Sequence, residues 1–241
     1  CQSMDQRRFV ANHDGNVSVR VGEDAFLCSP TAFAKRAVGL DDLLLINKQG
    51  ELREGKHKVF SEWRWHQAIY ETFPEVSSVV HAHPPVAMAW GLTQKQIGIL
   101  SIPEAIVSLG SPLLTLDFVS PSATLSEIKA QVSLALVKCH AFLVPGNGVF
   151  AVGDDVDSAY LRLELVEQVL RSQHLALQVG TILKIDSALV QELLAKRPRL
   201  KSVWQGLSND SSLALPPTAA GDDQMTSPIR ELVRLELQKG R

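Results

Sequence analysis

Short runs of alternating polarity dominate the first hundred residues. Val17, Val19 and Val21 alternate with Ser18 and Arg20, Gly22-Glu23-Asp24 reverses the chain, and Ala25–Cys28 returns, which predicts a β-hairpin. Asp41-Asp42 leads into an apolar run at 43–46 of buried-strand length, followed by a turn at Lys48-Gln49-Gly50-Glu51. Ser61 is placed to cap a helix running from Glu62 to about Phe73, with Trp65, Ala68, Ile69 and Phe73 on its core side and Pro74 ending it. Residues 76–83 read as a strand with Val79, His81 and His83 on one face and Val80 and Ala82 on the other, and Pro84-Pro85 opens a helix after it. The second half predicts a strand at 113–119, a helix at 126–137, a buried strand at 141–144 ending in Pro145-Gly146-Asn147-Gly148, and a long amphipathic helix from Asp155 to about Val179 closed by Gly180.

Residues 208–226 are rich in Ser, Asp, Pro and Gly and read as a flexible linker. Ser227-Pro228 then starts a short helix whose stripe of Ile229, Leu232, Val233 and Leu237 is too short to stand alone, so it docks on the body or on a neighbouring subunit. The expected organisation is one domain over 1–205, with the linker and terminal helix over 206–241. This alternation defines an α/β protein, but periodicity alone does not separate a doubly wound sheet from other layered folds.

The bulk numbers narrow the function. A chain of 241 residues with 45% hydrophobic and 21% charged positions can bury a sizeable core. A net charge of −2, with no basic run in the sequence, argues against a generic nucleic-acid or membrane-surface binder. No apolar run reaches the ~18 residues of a membrane span. The opening CQSMDQRRFV has no apolar signal core, and it begins abruptly, as though an upstream helix were missing. Cys1, Cys28 and Cys139 are odd in number and scattered, which points to a reducing compartment, the cytoplasm by default.

His81-Ala82-His83 carries the most chemistry. Alternate residues of a strand share a face, so both imidazoles can reach one cation, although the same pattern also occurs as a plain polar strand face. Glu62, at the start of a helix, suits either a working carboxylate or one that merely complements the helix dipole.

Order and spacing add to these signals. DGNVSVR, LCSPTAF and DDLLLINKQGELREGKHKVFSEWRWHQAIYETFPEVSSVVHAHPP, followed by ILSIPEAIVSLG and GVFAVGDDVDSAYLRLELVEQVLRSQHLALQVG, resemble the class II aldolase/adducin family over roughly residues 7–200. The resemblance implies an α/β/α sandwich around a mostly antiparallel sheet, assembled as a homo-tetramer with sites at subunit boundaries. It implies that His81 and His83 hold a divalent metal, usually zinc, that Glu62 is the acid or base, and that Asn16, Thr31 and Ser61 bind the substrate. The activity it implies is metal-assisted breakage of a carbon–carbon bond beside a carbonyl, by retro-aldol cleavage or decarboxylation of a small hydroxy-carbonyl compound. The alternative from another class is a non-catalytic, adducin-like binding protein.

The chain departs from the family pattern at the third ligand. Asn147 stands where a histidine is expected, and an amide oxygen is a poor ligand for zinc. His140 lies seven residues away, about 23 Å along an extended strand, too far to substitute. His13, beside the Gly15-Asn16 turn, is the other candidate. Phe60-Ser61 replaces a pair of serines and Thr31-Ala32 replaces Thr-Gly, so the expected substrate is not a standard sugar phosphate.

Overall fold

The computed structural model describes residues 1–93, 97, 101–120, 122–200 and 229. Eight strands form one sheet: β1 (Asn16–Gly22), β2 (Ala25–Cys28), β3 (Leu44–Ile46), β4 (Leu52–Glu54), β5 (Ser78–Ala82), β6 (Leu114–Thr115), β7 (Ala141–Val144) and β8 (Gly148–Gly153). Their order is β4-β3-β2-β1-β5-β8-β7-β6, with every pairing antiparallel except β6 with β7. Among the described residues these α-helices accompany it: α1 (Gln2–Gln6), α2 (Trp63–Thr72), α3 (Pro85–Gly91), α4 (Pro103–Leu109), α5 (Leu125–Leu136), α6 (Val156–Val179) and α7 (Ser187–Ala195).

The two-residue period of the strands sorts the core into layers. Val80, Ala82, Ala141, Leu143, Val149 and Ala151 pack with residues of α1, α3, α4, α6 and α7. Their chain neighbours Val79, Phe142, Val144, Phe150 and Val152 pack on the opposite face with α2 and α5. The result is the expected α/β/α sandwich, and antiparallel pairing excludes the doubly wound alternative.

The polar members of the β1 alternation are themselves buried. Ser18 and Arg20 lie under α2, where the Arg20 guanidinium donates to the carbonyls of Tyr70 and Pro74 and sits over the Tyr70 and Phe26 rings. Val19 and Val21 face the other way and join Ala25, Leu27, Leu45 and Ile229 in a third apolar cluster. Ile229 is the one described residue of the expected 206–241 tail; the linker at 208–226 and the rest of the terminal stripe lie outside the described residues.

Several boundaries differ from the sequence reading. The strand expected at 113–119 contracts to β6, an edge strand that pairs only with β7. The turn read at 48–51 is present, β4 and β8 fall on stretches left unassigned, and α1, α4 and α7 were not anticipated. Ser61 does not cap α2: Glu62 takes the N-cap position with φ −72° and ψ 4°, and no side chain accepts there.

Candidate metal centre

β5 lies in the middle of the sheet, between β1 and β8, and its C-terminal end carries the histidine pair. Asn16 is the register partner of His81 across β1 and β5, and Phe150 is its partner across β5 and β8. The His81 ring is fully buried and stacks on Phe150 with centroids 4.0 Å apart. Its Nδ1 lies 3.0 Å from the Val149 carbonyl, which can only accept, so Nδ1 carries the proton and Nε2 keeps a free lone pair. Burial, followed by the neighbouring His83, pushes the His81 pKa well below its ordinary value.

His83 lies one residue past the strand. Its backbone N–H donates to the Phe9 carbonyl, and its Nδ1 is 3.5 Å from an Asp14 carboxylate oxygen. The two Nε2 atoms face each other at 3.3 Å. A shared proton or a cation accounts for that approach. For comparison, two nitrogens bound to one tetrahedral zinc at ~2.0–2.1 Å are separated by about 3.4 Å. The spacing and tautomer of the pair therefore fit a zinc-type ion.

Glu62 reaches the same end of the sheet through Asn16. Its Oε2 accepts from the Asn16 amide at 3.4 Å and from the Ser61 hydroxyl at 3.1 Å. Side-chain contacts join Asn16, Ser61 and Glu62 in one set and His81 and His83 in another, and the two sets meet through the β1–β5 register of Asn16 with His81. Thr31 stands three residues beyond β2, with its backbone N–H on the Lys58 carbonyl. Asn147 occupies the β7–β8 hairpin, its N–H on the Val144 carbonyl. Among the described residues, no side-chain hydrogen bond ties Thr31 or Asn147 to the others. Gly148 brings the hairpin close: it has φ +83°, and a Cβ there would lie 2.2 Å from the Ala82 carbonyl oxygen and 2.7 Å from the His83 ring.

Among the described residues, no third histidine, cysteine or carboxylate completes a ligand trio with the pair. His13 offers none: it is exposed, and its carbonyl accepts from Lys35. His140 is buried at the start of β7 with Nδ1 3.4 Å from the Ser108 carbonyl, and burial pushes its pKa down to about 3. Phe60 also corrects its sequence reading. Its ring is buried against Trp63 and His66, with centroids 6.2 and 4.9 Å away, so it lines the core rather than an anion pocket. Ala32 adopts φ +53°, the left-handed turn that glycine adopts without strain, at about 1 kcal/mol for an L-residue.

Lys35 and His66 were not anticipated. Lys35 is buried, and its Nζ donates to the carbonyls of His13 and Phe33 at 3.1 and 3.0 Å, pinning the turn before β1 to the loop after β2. Burial lowers its pKa, while the Asp14 and Glu62 carboxylates oppose that shift. A lone lysine beside Arg36 reads in sequence as surface. The clue to His66 is its spacing: it lies one helical turn after Glu62 and one before Tyr70.

A cavity of about 920 Å³ opens between α1, α3, α4 and α6, lined by Arg8, Glu104, Arg162 and Arg171 among others. None of the candidate residues lines it.

A mostly antiparallel α/β/α sandwich with an HxH pair at the end of a central strand defines the class. The family described as Class II Aldolase and Adducin N-terminal domain matches residues 1–174, and the chain belongs to it. L-fuculose phosphate aldolase of Escherichia coli (strain K12) is 31% identical over 161 residues, 66% of this chain and 72% of that protein. The protein of that name from Methanococcus maripaludis (strain C7 / ATCC BAA-1331) is 25% identical over 175 residues, 73% of this chain and 92% of its own. Among solved structures, an L-fuculose 1-phosphate aldolase superposes with a TM-score of 0.72 at 18% identity, covering 81% of this chain and 91% of that one. YgbL from Klebsiella pneumoniae, a candidate aldolase, epimerase or decarboxylase, gives 0.69 at 24%, covering 80% and 92%.

Proposed function

We propose that this chain is a metal-dependent carbon–carbon lyase that cleaves a small hydroxy-carbonyl compound by retro-aldol reaction or decarboxylation. The observation that carries the reading is the facing pair of His81 and His83 Nε2 atoms at 3.3 Å, with the Glu62 carboxylate connected to the same strand end through Asn16. His81 and His83 would hold the ion, with Asn147 nearest in the chain to the third position. Zinc is the first choice for two imidazoles. When bound, such an ion polarises the substrate carbonyl and stabilises the enediolate left by bond cleavage. Glu62 then moves the proton, and the donors on its Oε2 aim the carboxylate.

The substrate is proposed to lack the phosphate of the sugar-phosphate aldolases that the chain resembles. Phe60 adds no obstacle, because its ring is in the core, but it supplies no hydroxyl either. Of the remaining donors, Asn16 Nδ2 and Ser61 Oγ are both engaged with Glu62, which leaves Thr31, and a dianion seated there would face that carboxylate. The protein is proposed to act in the cytoplasm as a homo-oligomer, with the tetramer of the resemblance as the expected form. Asn147 and the missing ligand trio favour a second reading, a non-catalytic binding protein that keeps the fold.

Metal analysis separates the two. The purified chain is expected to hold about one zinc-type ion, and His81→Ala/His83→Ala to hold none while keeping a cooperative melt. A wild-type chain that takes up no divalent metal at saturating zinc would leave the binding-protein reading standing.

A further inference from the structure

A buried polar chain runs away from Asn16 on the side opposite Glu62. His66 is completely buried, with Nε2 2.6 Å from Asn16 Oδ1 and Nδ1 2.7 Å from Ser18 Oγ. Ser18 Oγ lies 2.8 Å from the Tyr70 hydroxyl, which is also 3.0 Å from the Ser18 carbonyl. Phe60, Trp63 and Phe150 wall the imidazole at centroid distances of 4.9, 6.1 and 5.9 Å, so no water-filled space adjoins it on those sides. Burial pushes its pKa down to about 3, and the ring is neutral near pH 7.

A neutral imidazole carries one N–H, which leaves two arrangements. In the first, Nε2–H donates to Asn16 Oδ1 and Nδ1 accepts the Ser18 hydroxyl. Tyr70 then donates to Ser18 Oγ, the Ser18 carbonyl keeps the Ser78 hydroxyl as its donor at 3.0 Å, and the Asn16 NH2 faces Glu62 Oε2 at 3.4 Å. Every polar atom of the chain is satisfied. In the second, the proton sits on Nδ1, the Asn16 amide is turned over, and its oxygen is set against the Glu62 carboxylate. Two opposed acceptors at a part-buried position leave one unsatisfied, at about 1–3 kcal/mol. The first arrangement wins.

We infer that His66 is a positioning residue that locks the Asn16 amide with its NH2 edge toward Glu62, so that Asn16 serves the site only as a donor and the substrate group seated on it is an oxygen acceptor. A carbonyl, carboxylate or enediolate oxygen meets that requirement; an ammonium does not. The inference about substrate class rests on the lyase reading above, whereas the locked amide does not.

Neutron diffraction from the full chain exchanged into D2O tests the lock directly, with no metal or ligand needed. Deuterium on His66 Nε2, with the Asn16 ND2 toward Glu62, is the expected result. Deuterium on Nδ1 with Asn16 turned over overturns the inference. Two variants supply the functional readout. His66→Gln puts an amide nitrogen where Nε2 was, and His66→Phe keeps much of the shape without a donor. Binding of glycolohydroxamate, a two-carbon enediolate mimic, to the zinc-loaded protein is expected to weaken about ten-fold or more in His66→Phe and less than about three-fold in His66→Gln. Equal binding by both variants and the wild type would show that the ring only fills space. Should His66→Phe fail to fold, the deuterium positions together with the glutamine variant decide. Absence of zinc-dependent binding in the wild type counts against the lyase reading, not against the lock.

Discussion

Asn147 is the residue on which the strength of the centre turns. It stands in the hairpin beside Gly148, whose backbone closes on His83, so a longer imidazole side chain starts from the right neighbourhood. Asn147→His is expected to raise zinc affinity about ten-fold or more, read by competition against a chromogenic chelator. Unchanged affinity would mean that another group already completes the shell or that the hairpin aims its side chain elsewhere. At this scale the sequence was informative where spacing constrains direction. His81 and His83 are two apart near a strand end, and they meet. It was uninformative where a lone polar letter is rescued by distant partners. Lys35 is buried because the carbonyls of His13 and Phe33 happen to lie within reach, and His66 because Asn16 and Ser18 flank it from another strand. The direction of the Phe60 ring was open in the sequence, since nothing local tells an aromatic beside a site which way to turn.

Among the elements, the β7–β8 hairpin tolerates little change. Gly148 combines a left-handed backbone with a Cβ position 2.2 Å from the Ala82 carbonyl oxygen, so a methyl group must push β5 and β8 apart beside the histidines. Gly148→Ala is expected to lower the unfolding free energy by more than about 2 kcal/mol and to cost metal content as well. Urea melts of wild type and variant check it, and a loss below about 0.5 kcal/mol would show that the hairpin relaxes freely. The elements legible in sequence were those with contrast: the β1–β2 hairpin, α2, α5 and α6 match to within about two residues. β8 was left unassigned although it is an apolar run buried on both faces, as β3 and β7 are. β6 was overread because a strand with a single four-residue neighbour has little to pair with.

For the whole molecule, buried neutral histidines tie stability to pH. His66 and His140 have native pKa values of about 3, below the ordinary 6.5. The unfolded chain therefore takes up protons first as pH falls. Their contribution is complete above pH 6.5 and is lost progressively toward pH 3, on the order of several kcal/mol in all. Urea unfolding between pH 7.5 and 4 is expected to show stability falling from about pH 6.5, with a shallower slope in His140→Gln. A flat profile from pH 6.5 to 5 would overturn this, since that window lies above most carboxylate titrations. The global architecture was legible only through family resemblance. Alternating strands and helices predict a layered α/β body, but whether neighbours run parallel or antiparallel is set by pairings such as β5 with β8, about seventy residues apart in the chain.

The turn that carries Asn147 has a consequence for the history of such a chain. Its left-handed glycine holds the hairpin close to His83. The codons for asparagine and histidine differ by a single first-base change. In the centre proposed above, a third imidazole is therefore one point mutation away, and a lineage can move between a weakly and a tightly loaded site by a single substitution in either direction.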